Sequence, residues 1–388
     1  MNDPVRVITA ITNPMSCILL TGQLAYMRKA GFDVCLVTIE SPDARAFAAA
    51  EGVRFRPLSM TREISLLRDL RSLLAAIRLV RQERPDVVNA GTPKAGLLLM
   101  LASWVCRVPL RIYTMRGVRY ESEHGLRRRV LKAVERLACR AATKVLCISE
   151  SVQQLVLEDR LCPESKTVRI GAGSSNGLDF SRFSRDKVGA PRIAELRRMH
   201  AIEEGDYVIG FVGRLIPRKG VVELLEAWKT LRERIPSSKL LLVGPYEEEQ
   251  PLPAAVVETI SADPRVITTG FVTNVEEYFC LMDVFAFPSH WEGFGNVLLQ
   301  ASSCEVPIVA TRATGVWDAV QDGVTGILVE KGDVAGVVAA VLRYHAAPGM
   351  AQEHGKRGSE WVRAQFRSET VWDGLAALYR GLNPPASR

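Results

Sequence analysis

The chain has 388 residues, of which 47% are hydrophobic and 24% are charged, the composition of a globular protein with room for two domains. The formal net charge is +7 and is uneven, because residues 1–187 carry 30 Lys and Arg against 18 Asp and Glu, whereas residues 188–388 carry 20 against 25. The basic first half favours an anionic surface or a phosphorylated ligand as its partner.

Signals for membrane insertion, secretion and metal binding are missing from the sequence. The N-terminus, MNDPVRVITAI, predicts a first β-strand and not a signal peptide, and the longest apolar stretch, residues 95–106, is too short to span a bilayer. None of the eight cysteines forms a CxxC pair, and the five histidines show no HxxxH or HExxH spacing. We therefore expect no transmembrane helix, reduced thiols in a cytoplasmic protein and no bound metal.

Short apolar strands and amphipathic helices alternate along the chain. In the first half, strands are predicted at residues 5–11, 34–38, 86–90, 110–114 and 144–148, and helices at residues 19–30 and 66–84. The pattern is interrupted at residues 183–205 and resumes with strands at 206–215, 239–245, 265–268, 283–287 and 307–311 and a helix at 220–235. Such alternation predicts parallel sheets with helices on both faces.

The predicted fold class is therefore α/β, with two doubly wound domains in tandem. We expect an N-terminal domain at residues 1–187, a linker at residues 188–202 and a C-terminal domain at residues 203–370. A helix at about residues 371–388 is expected to pack back on the N-terminal domain. In sheets of this kind ligands bind beyond the carboxyl ends of the strands, so motifs that directly follow a strand are candidate sites.

The first such motif is GRLIPRKG, residues 213–220. Its two cations, Arg214 and Lys219, follow a predicted strand and stand beside a predicted helix start. Two cations at a helix N-terminus suit the binding of a diphosphate. The alternative interpretation is a solvated loop that happens to be basic.

The second motif is EGFGN, residues 292–296, which leads into an apolar helix. Its glycines let the backbone approach a ligand closely, and the free N–H groups of a helix start point toward it. Glu292 can accept hydrogen bonds from sugar hydroxyls, and Gln300 projects to a similar side of the helix a little over two turns later. The alternative interpretation is an ordinary strand–helix turn with a surface acid.

Together these motifs resemble the family 4 glycosyltransferases of the GT-B fold. The matching segments of the second half are GFVGRLIPRKGVVELLEAW, LLLVGP, PRVITTGFV, VEEYFCLMDVFAFPSHWEGFGNVLLQASSCEVPIVAT and GVWDAVQDGVTGILV. Those of the first half are RPDVVNAGTPKAGLL, PLRIYTMRGVRYE and SSNGLDFSRF. The subgroup it most resembles builds capsule, O-antigen or exopolysaccharide repeat units on a lipid diphosphate carrier. The resemblance implies two Rossmann-like domains that face each other across a cleft.

The resemblance also implies a role for each motif residue. Arg214, Lys219 and Glu292 would be the catalytic residues, with the two cations on the diphosphate of a nucleotide-sugar, which on family grounds is expected to be a UDP-sugar. The donor-binding residues would be Gly213, Val243, Gly244, Gly270, Phe271, Val272, Gly293, Phe294, Gly295, Asn296 and Gln300. Such enzymes retain the anomeric configuration and use neither a metal nor another cofactor.

Two positions depart from the family pattern. Gln300 stands where a second Glu is usual, and an amide keeps the ability to bind ribose hydroxyls but not an acid–base role. Arg116, in TMRG, stands where the family usually has His; it is either a ligand for an acceptor phosphate or a structural residue. With Lys94 and Arg119 it makes up the predicted acceptor-binding set. Lys94 can also be read as an ordinary lysine at a helix start.

Residues 124–144 form a predicted basic amphipathic helix. Its apolar positions alternate with basic ones, among them Arg127, Arg128, Arg129 and Lys132. A helix of this kind can lie on an anionic bilayer, and the alternative is a domain helix with a solvated basic face. The prediction is peripheral attachment at the inner face of the cytoplasmic membrane.

The predicted function is a retaining glycosyltransferase that moves a sugar from a nucleotide-sugar to a polyprenyl-diphosphate-linked saccharide, with no nucleic-acid partner. One alternative is a nucleotide-sugar epimerase or hydrolase on the same fold. Another is a non-catalytic scaffold, which Gln300 favours and the intact Arg214, Lys219 and Glu292 disfavour. The glycine-rich loop GAGSSNG, residues 171–177, lacks GxGxxG spacing and is interpreted as an interdomain loop.

Overall fold

The computed structural model describes residues 3–60 and 66–381. The chain forms two compact units: unit 1 comprises Met1–Gly177 and Ser368–Arg388, and unit 2 comprises Leu178–Arg367.

The strands are β1 Arg6–Ala10, β2 Asp33–Thr38, β3 Arg54–Pro57, β4 Val87–Ala90, β5 Leu110–Met115, β6 Lys144–Cys147, β7 Thr167–Val168, β8 Tyr207–Val212, β9 Ser238–Val243, β10 Val266–Thr268, β11 Val284–Phe287, β12 Ile308–Thr311 and β13 Gly326–Val329. The α-helices are α1 Gln23–Lys29, α2 Pro42–Glu51, α3 Leu66–Glu83, α4 Pro93–Val105, α5 Gly125–Ala141, α6 Glu150–Glu158, α7 Ala190–Met199, α8 Val221–Arg234, α9 Ala254–Ala262, α10 Val275–Phe279, α11 Asn296–Ser303, α12 Val334–Ala346, α13 Pro348–Gln365 and α14 Ser368–Tyr379.

Seven parallel strands form the sheet of unit 1, in the order β3-β2-β1-β4-β5-β6-β7. Alternate residues of the strands join two separate hydrophobic clusters, so that Ile8 belongs to one and Val7 to the other. Helices α3, α4 and α5 contribute to the first cluster, and α1 and α14 contribute to the second. Because both faces are covered, β4 is buried along its whole length, and its sequence VVNA is apolar except for Asn89.

Six parallel strands form the sheet of unit 2, in the order β10-β9-β8-β11-β12-β13. Aromatic side chains fill its core: Trp228 of α8 is buried, and the rings of Phe211 and Phe287 stack with their centroids 5.8 Å apart. Strand β8 lies between β9 and β11, which is where the strand order reverses. The segments that follow β8 and β11 therefore leave the sheet side by side, at the position where doubly wound sheets bind ligands.

The division into units differs from the predicted domain boundaries. The expected linker at residues 188–202 contains α7, which belongs to unit 2 and is tied to α10 because Arg192 pairs with Glu277 (Nε to Oε2, 3.0 Å). The charged residues that interrupt the strand pattern are thus explained by an ion-paired helix. Helix α14 begins at Ser368 and contributes Leu375 and Tyr379 to the core of unit 1; residues 382–388 lie outside the described residues.

Candidate active site

The loop after β8 is shaped by glycine. Gly220 has a φ of 76° and lies against the segment that follows β11, where a Cβ would come within 2.0 Å of the Pro288 carbonyl oxygen. Only glycine tolerates both the conformation and the contact. The short 3₁₀ turn Pro217–Lys219 precedes it, and α8 begins directly after it. The sequence GRLIPRKG is therefore held next to the sequence SHWEGFGN, as the strand order requires.

Lys219 and Glu292 form an ion pair at this junction. Lys219 Nζ donates to Glu292 Oε1 at 2.6 Å, and the two side chains are only 15% and 12% exposed. Ser289 Oγ also donates to Oε1, at 2.8 Å, and Arg218 Nη1 lies 3.7 Å from it. Burial lowers the pKa of Lys219, and the charge of Glu292 opposes that shift. The Glu292 carboxylate is therefore held by two hydrogen-bond donors, with the positive charge of Arg218 nearby, and it can accept further hydrogen bonds.

Arg218 is a third cation of the site that the sequence analysis did not select. Its guanidinium lies 4.3 Å from the centroid of the Trp291 ring, and Nη1 donates to the Trp291 carbonyl oxygen at 2.9 Å. The backbone N–H of His290 donates to the Arg218 carbonyl oxygen at 3.0 Å. These contacts join the two loops, and the Trp in SHWEGFGN was the signal in the sequence that a cation could stack there.

Arg214 is the most exposed of the three cations. Its side chain is 45% exposed and forms an ion pair with Glu247, which lies in the segment after β9. The strand β9 neighbours β8 in the sheet, so the two residues meet at the same sheet edge. The sequence analysis did not select Glu247, since it is one of three consecutive glutamates.

The segment EGFGN is held by its backbone. Glu292 N donates to the Thr314 carbonyl oxygen at 2.7 Å, and Gly295 N donates to that of Gly315 at 2.6 Å. The Phe294 side chain is buried against Phe366, with the ring centroids 5.5 Å apart, so only its backbone is available to a ligand. Gly295 caps α11, which starts at Asn296 and carries the partly exposed Gln300.

The remaining predicted donor residues meet at the ends of neighbouring strands. Gly213 N donates to the Val243 carbonyl oxygen at 2.9 Å, and Gly244 forms a β-bridge with Gly270. Gly244 has a φ of 142°, and a Cβ there would lie 2.0 Å from the Gly213 carbonyl oxygen. Phe271 is 77% exposed, and Val272 follows it in the same segment. The structure thus brings together the segments after β8, β9 and β10 that carry these residues.

The three predicted acceptor residues lie in unit 1. Lys94 is in the first turn of α4 and pairs with Asp69 of α3 (Nζ to Oδ1, 2.5 Å), which neutralises its charge. Arg116 follows β5, and its Nε and Nη1 atoms are buried without a hydrogen-bond partner among the described residues. Arg119 opens the 3₁₀ helix Arg119–Ser122, and its side chain lies outside the described part of the chain.

The four predicted membrane residues lie on α5 but do not form one surface. Arg127, Arg128 and Arg129 are exposed, and Arg127 pairs with Glu123. Lys132 instead pairs with Asp159 and is only 24% exposed, so it belongs to the packing between α5 and the end of α6. Among the described residues no single helix is long and apolar enough to cross a bilayer; α12 and α13 meet that criterion only together, as a pair bent by 103°.

Comparison with known proteins gives a consistent result. Residues 206–346 match the family described as "Glycosyl transferases group 1", and residues 20–173 match the "Glycosyl transferase 4-like domain". The chain is 34% identical over 374 residues to the capsular polysaccharide biosynthesis glycosyltransferase CapM of Staphylococcus aureus, covering 96% of each chain. It is 26% identical over 318 residues, 80% of each chain, to the UDP-Gal:alpha-D-GlcNAc-diphosphoundecaprenol alpha-1,3-galactosyltransferase of Escherichia coli. The crystal structure of HepE from Anabaena with UDP and glucose superposes with a TM-score of 0.79 at 18% identity, over 97% of this chain and 100% of HepE.

Two parallel α/β sheets with this likeness define the GT-B fold, and the two family matches identify the chain as a glycosyltransferase. Within that class, the chain belongs to the family 4, or group 1, glycosyltransferases. The family, fold class and enzyme class expected from the sequence are confirmed.

Proposed function

We propose that the enzyme transfers a sugar from a UDP-sugar to a polyprenyl-diphosphate-linked saccharide, with retention of configuration, in the synthesis of a bacterial surface polysaccharide. The observation that carries the proposal is the Lys219–Glu292 pair with Ser289 and Arg218 around it, at the strand-order reversal of unit 2. This pair places a fixed positive charge beside a carboxylate that can accept hydrogen bonds. The names of the capsular relative and of the undecaprenol-dependent galactosyltransferase support the pathway and the acceptor class.

In this proposal the donor binds along the carboxyl edge of the unit 2 sheet. Arg214 and Lys219 bind its diphosphate, and Glu292 and the backbone of residues 293–296 bind the hydroxyls of its sugar. The segments that carry Gly213, Val243, Gly244 and residues 270–272 bind the nucleoside, and Gln300 binds the ribose hydroxyls. The superposition on HepE, a protein crystallised with UDP and glucose, supports a nucleotide-sugar donor.

The chemistry follows from the charge that develops as the donor breaks down. Departure of a nucleoside diphosphate leaves anionic charge, which positioned cations and helix N-termini stabilise most in the transition state. Glu292 is already bound by Lys219 and Ser289, so it orients hydroxyls as an acceptor instead of supplying a proton. The acceptor attacks from the face that the diphosphate leaves, and a phosphate oxygen of the leaving group takes the acceptor proton.

The proposed acceptor is held by unit 1, whose residues Lys94, Arg116 and Arg119 form the predicted acceptor set. The outward sides of α3 and α5 support contact with the membrane that contains such an acceptor. These two helices flank α4 on one face of the sheet, and they expose Leu67, Leu70, Leu74, Leu126 and Val130 by 46% or more. Arg127–Arg129 are exposed on α5 between Leu126 and Val130, and exposed basic side chains beside exposed apolar ones are typical of a surface that adsorbs to anionic lipid at the inner face of the cytoplasmic membrane.

A donor panel tests the proposal. The purified enzyme is incubated with each UDP-sugar and with membrane extract that contains lipid-linked saccharides, and the products are identified by mass spectrometry. The expected result is a lipid-linked product heavier by one sugar, absent for Lys219→Met and present for Lys229→Met, a change to an exposed lysine of α8. Free or isomerised sugar without acceptor would instead identify a hydrolase or epimerase. UDP binding without turnover of any donor would identify a scaffold.

A further inference from the structure

His290 and Glu223 form a hydrogen-bonded pair beside the donor site of unit 2. The Nε2 atom of the imidazole lies 2.7 Å from Glu223 Oε1, and the two side chains are 34% and 20% exposed. Burial raises the pKa of Glu223, but hydrogen bonds from His290 and from the backbone N–H of Glu223 itself outweigh that effect, so the pKa lies below the usual 4.5. Glu223 is therefore a carboxylate that can only accept, and the imidazole must donate from Nε2.

The pair joins the segment that carries Glu292 to the first turn of α8. His290 stands two residues before Glu292, and Glu223 is the third residue of α8, four residues after Lys219. The same two segments are already joined by the ion pair of Lys219 with Glu292. One side-chain contact between two segments leaves them free to pivot about it, whereas two contacts at different positions along both segments fix their relative orientation.

The backbone of the segment is held at the same place. His290 N donates to the Arg218 carbonyl oxygen at 3.0 Å, and Arg218 Nη1 donates to the Trp291 carbonyl oxygen at 2.9 Å. Glu292 N donates to the Thr314 carbonyl oxygen at 2.7 Å. These bonds fix the path of the backbone through residues 290–292, and the imidazole ties its first residue to α8.

The pair is poorly suited to a purely stabilising role. The second carboxylate oxygen, Glu223 Oε2, is buried and has no hydrogen-bond partner among the described residues. A buried acceptor that is left unpaired costs free energy, and an ion pair that is partly open to solvent returns little of it. The geometry that the pair imposes therefore explains it better than any stability that it adds.

We propose that His290 is a positioning residue, whose hydrogen bond to Glu223 holds residues 289–292 against α8 so that the Glu292 carboxylate meets the hydroxyls of the donor sugar. The inference rests on the proposed function, because it is there that Glu292 binds the sugar. Loss of the hydrogen bond leaves Arg214 and Lys219 available to the diphosphate, so it changes the orientation of the sugar more than the affinity for UDP.

Hydrogen–deuterium exchange of the ligand-free enzyme tests the structural half of the inference without any reaction. In His290→Ala, and independently in Glu223→Ala, peptides that cover residues 289–296 should exchange about tenfold faster, after correction for the intrinsic rate of each sequence. His290→Gln should exchange like the unmodified enzyme, because its amide N–H can donate to the same carboxylate. Glu226→Gln is the matched control: it breaks the exposed Glu226–Lys229 pair of the same helix and should change nothing in this segment.

Kinetics and UDP binding test the functional half. His290→Ala should lower kcat with the active donor about tenfold, because Glu292 is misplaced, and should leave the Kd for UDP within about twofold, because UDP has no sugar to orient. His290→Gln should regain most of the lost kcat. The double variant with Glu223→Ala should lose no more than either single variant, since both side chains act through one hydrogen bond.

The outcomes separate the inference from the proposed function. Faster exchange in both alanine variants, with no turnover of any donor by the unmodified enzyme, would support the positioning of residues 289–292 and contradict the proposed function. In an active enzyme, an unchanged exchange rate or an unchanged kcat in His290→Ala would overturn the inference. Additive losses of kcat in the double variant would overturn it as well, because the two side chains would then act separately.

Discussion

Glu247 neutralises the guanidinium of Arg214. The two side chains form an ion pair across the ends of β8 and β9, and Arg214 is one of the two cations proposed to bind the donor diphosphate. A diphosphate that binds Arg214 must therefore compete with a carboxylate of the same chain. Because the pair is partly exposed, breaking it is expected to cost the binding of the diphosphate about 0.2–1 kcal/mol.

Glu247→Gln is accordingly expected to strengthen UDP binding. The change removes the competing charge and keeps the size of the side chain, so the Kd for UDP should fall by about two- to fivefold at low salt. Isothermal titration calorimetry measures it, with Glu248→Gln as the control, since Glu248 is the exposed neighbour with the same charge. A Kd that rises in Glu247→Gln would show that Glu247 itself contacts the ligand.

Glu292 and Gln300 are expected to respond differently to substitution. Glu292→Ala removes the acceptor that Lys219 and Ser289 hold in place, and it should lower kcat by about 100-fold, in the range found when one oriented polar group is lost from an active site. Gln300→Glu should retain kcat and mainly change the donor KM, because either side chain can bind a ribose hydroxyl. Steady-state kinetics with the active donor separate the two effects. A large gain in kcat for Gln300→Glu would contradict a binding role.

Membrane adsorption is expected to depend on the three exposed arginines of α5. Replacing Arg127–Arg129 by Gln should weaken binding by about 3 kcal/mol, or roughly 100-fold, at about 1 kcal/mol for each basic residue near an anionic surface. Cosedimentation with vesicles that contain anionic lipid measures it. The control removes three exposed cations from unit 2, at Arg198, Arg234 and Lys331, and should bind normally. Equal loss of vesicle binding in both triple variants would contradict a specific role for α5 and would show only an effect of net charge.

Glu135 gives the enzyme a pH-dependent stability. This residue of α5 is 4% exposed, its Oε2 atom accepts a hydrogen bond from the Tyr113 hydroxyl at 2.7 Å, and burial raises its pKa from 4.5 to about 7. The folded state therefore binds one more proton than the unfolded state between pH 4.5 and about 7, and the free energy of unfolding falls as the pH rises through that range. The loss is about 3 kcal/mol at most.

Glu135→Gln should remove this dependence, because the amide keeps an acceptor for Tyr113 and has no charge. Chemical denaturation of both proteins at pH 5, 6, 7 and 8 gives the comparison, in which the stability of the native protein relative to Glu135→Gln should fall with increasing pH. A constant difference across the series would mean that the carboxyl has an ordinary pKa.

The arrangement of the donor segments could be predicted from the sequence because it follows from the strands. Parallel strands end at one edge, so GRLIPRKG and EGFGN had to meet once both were recognised as strand endings. The partners of individual side chains could not be predicted in the same way. Lys132 has the helical spacing of a surface cation, yet it pairs with Asp159, and that contact depends on how α5 and α6 pack. The same holds for Arg218 on Trp291, which are 73 residues apart.

The burial of the Nε and Nη1 atoms of Arg116 also could not be predicted from the sequence. Its place after β5 was evident, but the lack of a counter-charge follows from what surrounds it, including Tyr379 from the far end of the chain. The linker prediction failed to anticipate α7 because charged residues interrupted the apolar pattern without interrupting the helix; the pair of Arg192 with Glu277 anchors it.

The return of the chain from unit 2 to unit 1 has a consequence for biosynthesis. Residues 178–367 form a continuous unit, whereas the unit that contains the sheet of residues 6–168 also includes α14, whose Tyr379 ring packs against Phe32 and whose Leu375 belongs to the same hydrophobic cluster. On the ribosome, the part made second can fold first, and the part made first waits with an uncovered apolar face until residues 368–379 have emerged. Until α14 docks, the apolar side chains that it covers stay exposed, and exposed apolar surface of this kind makes an incompletely folded chain prone to aggregation.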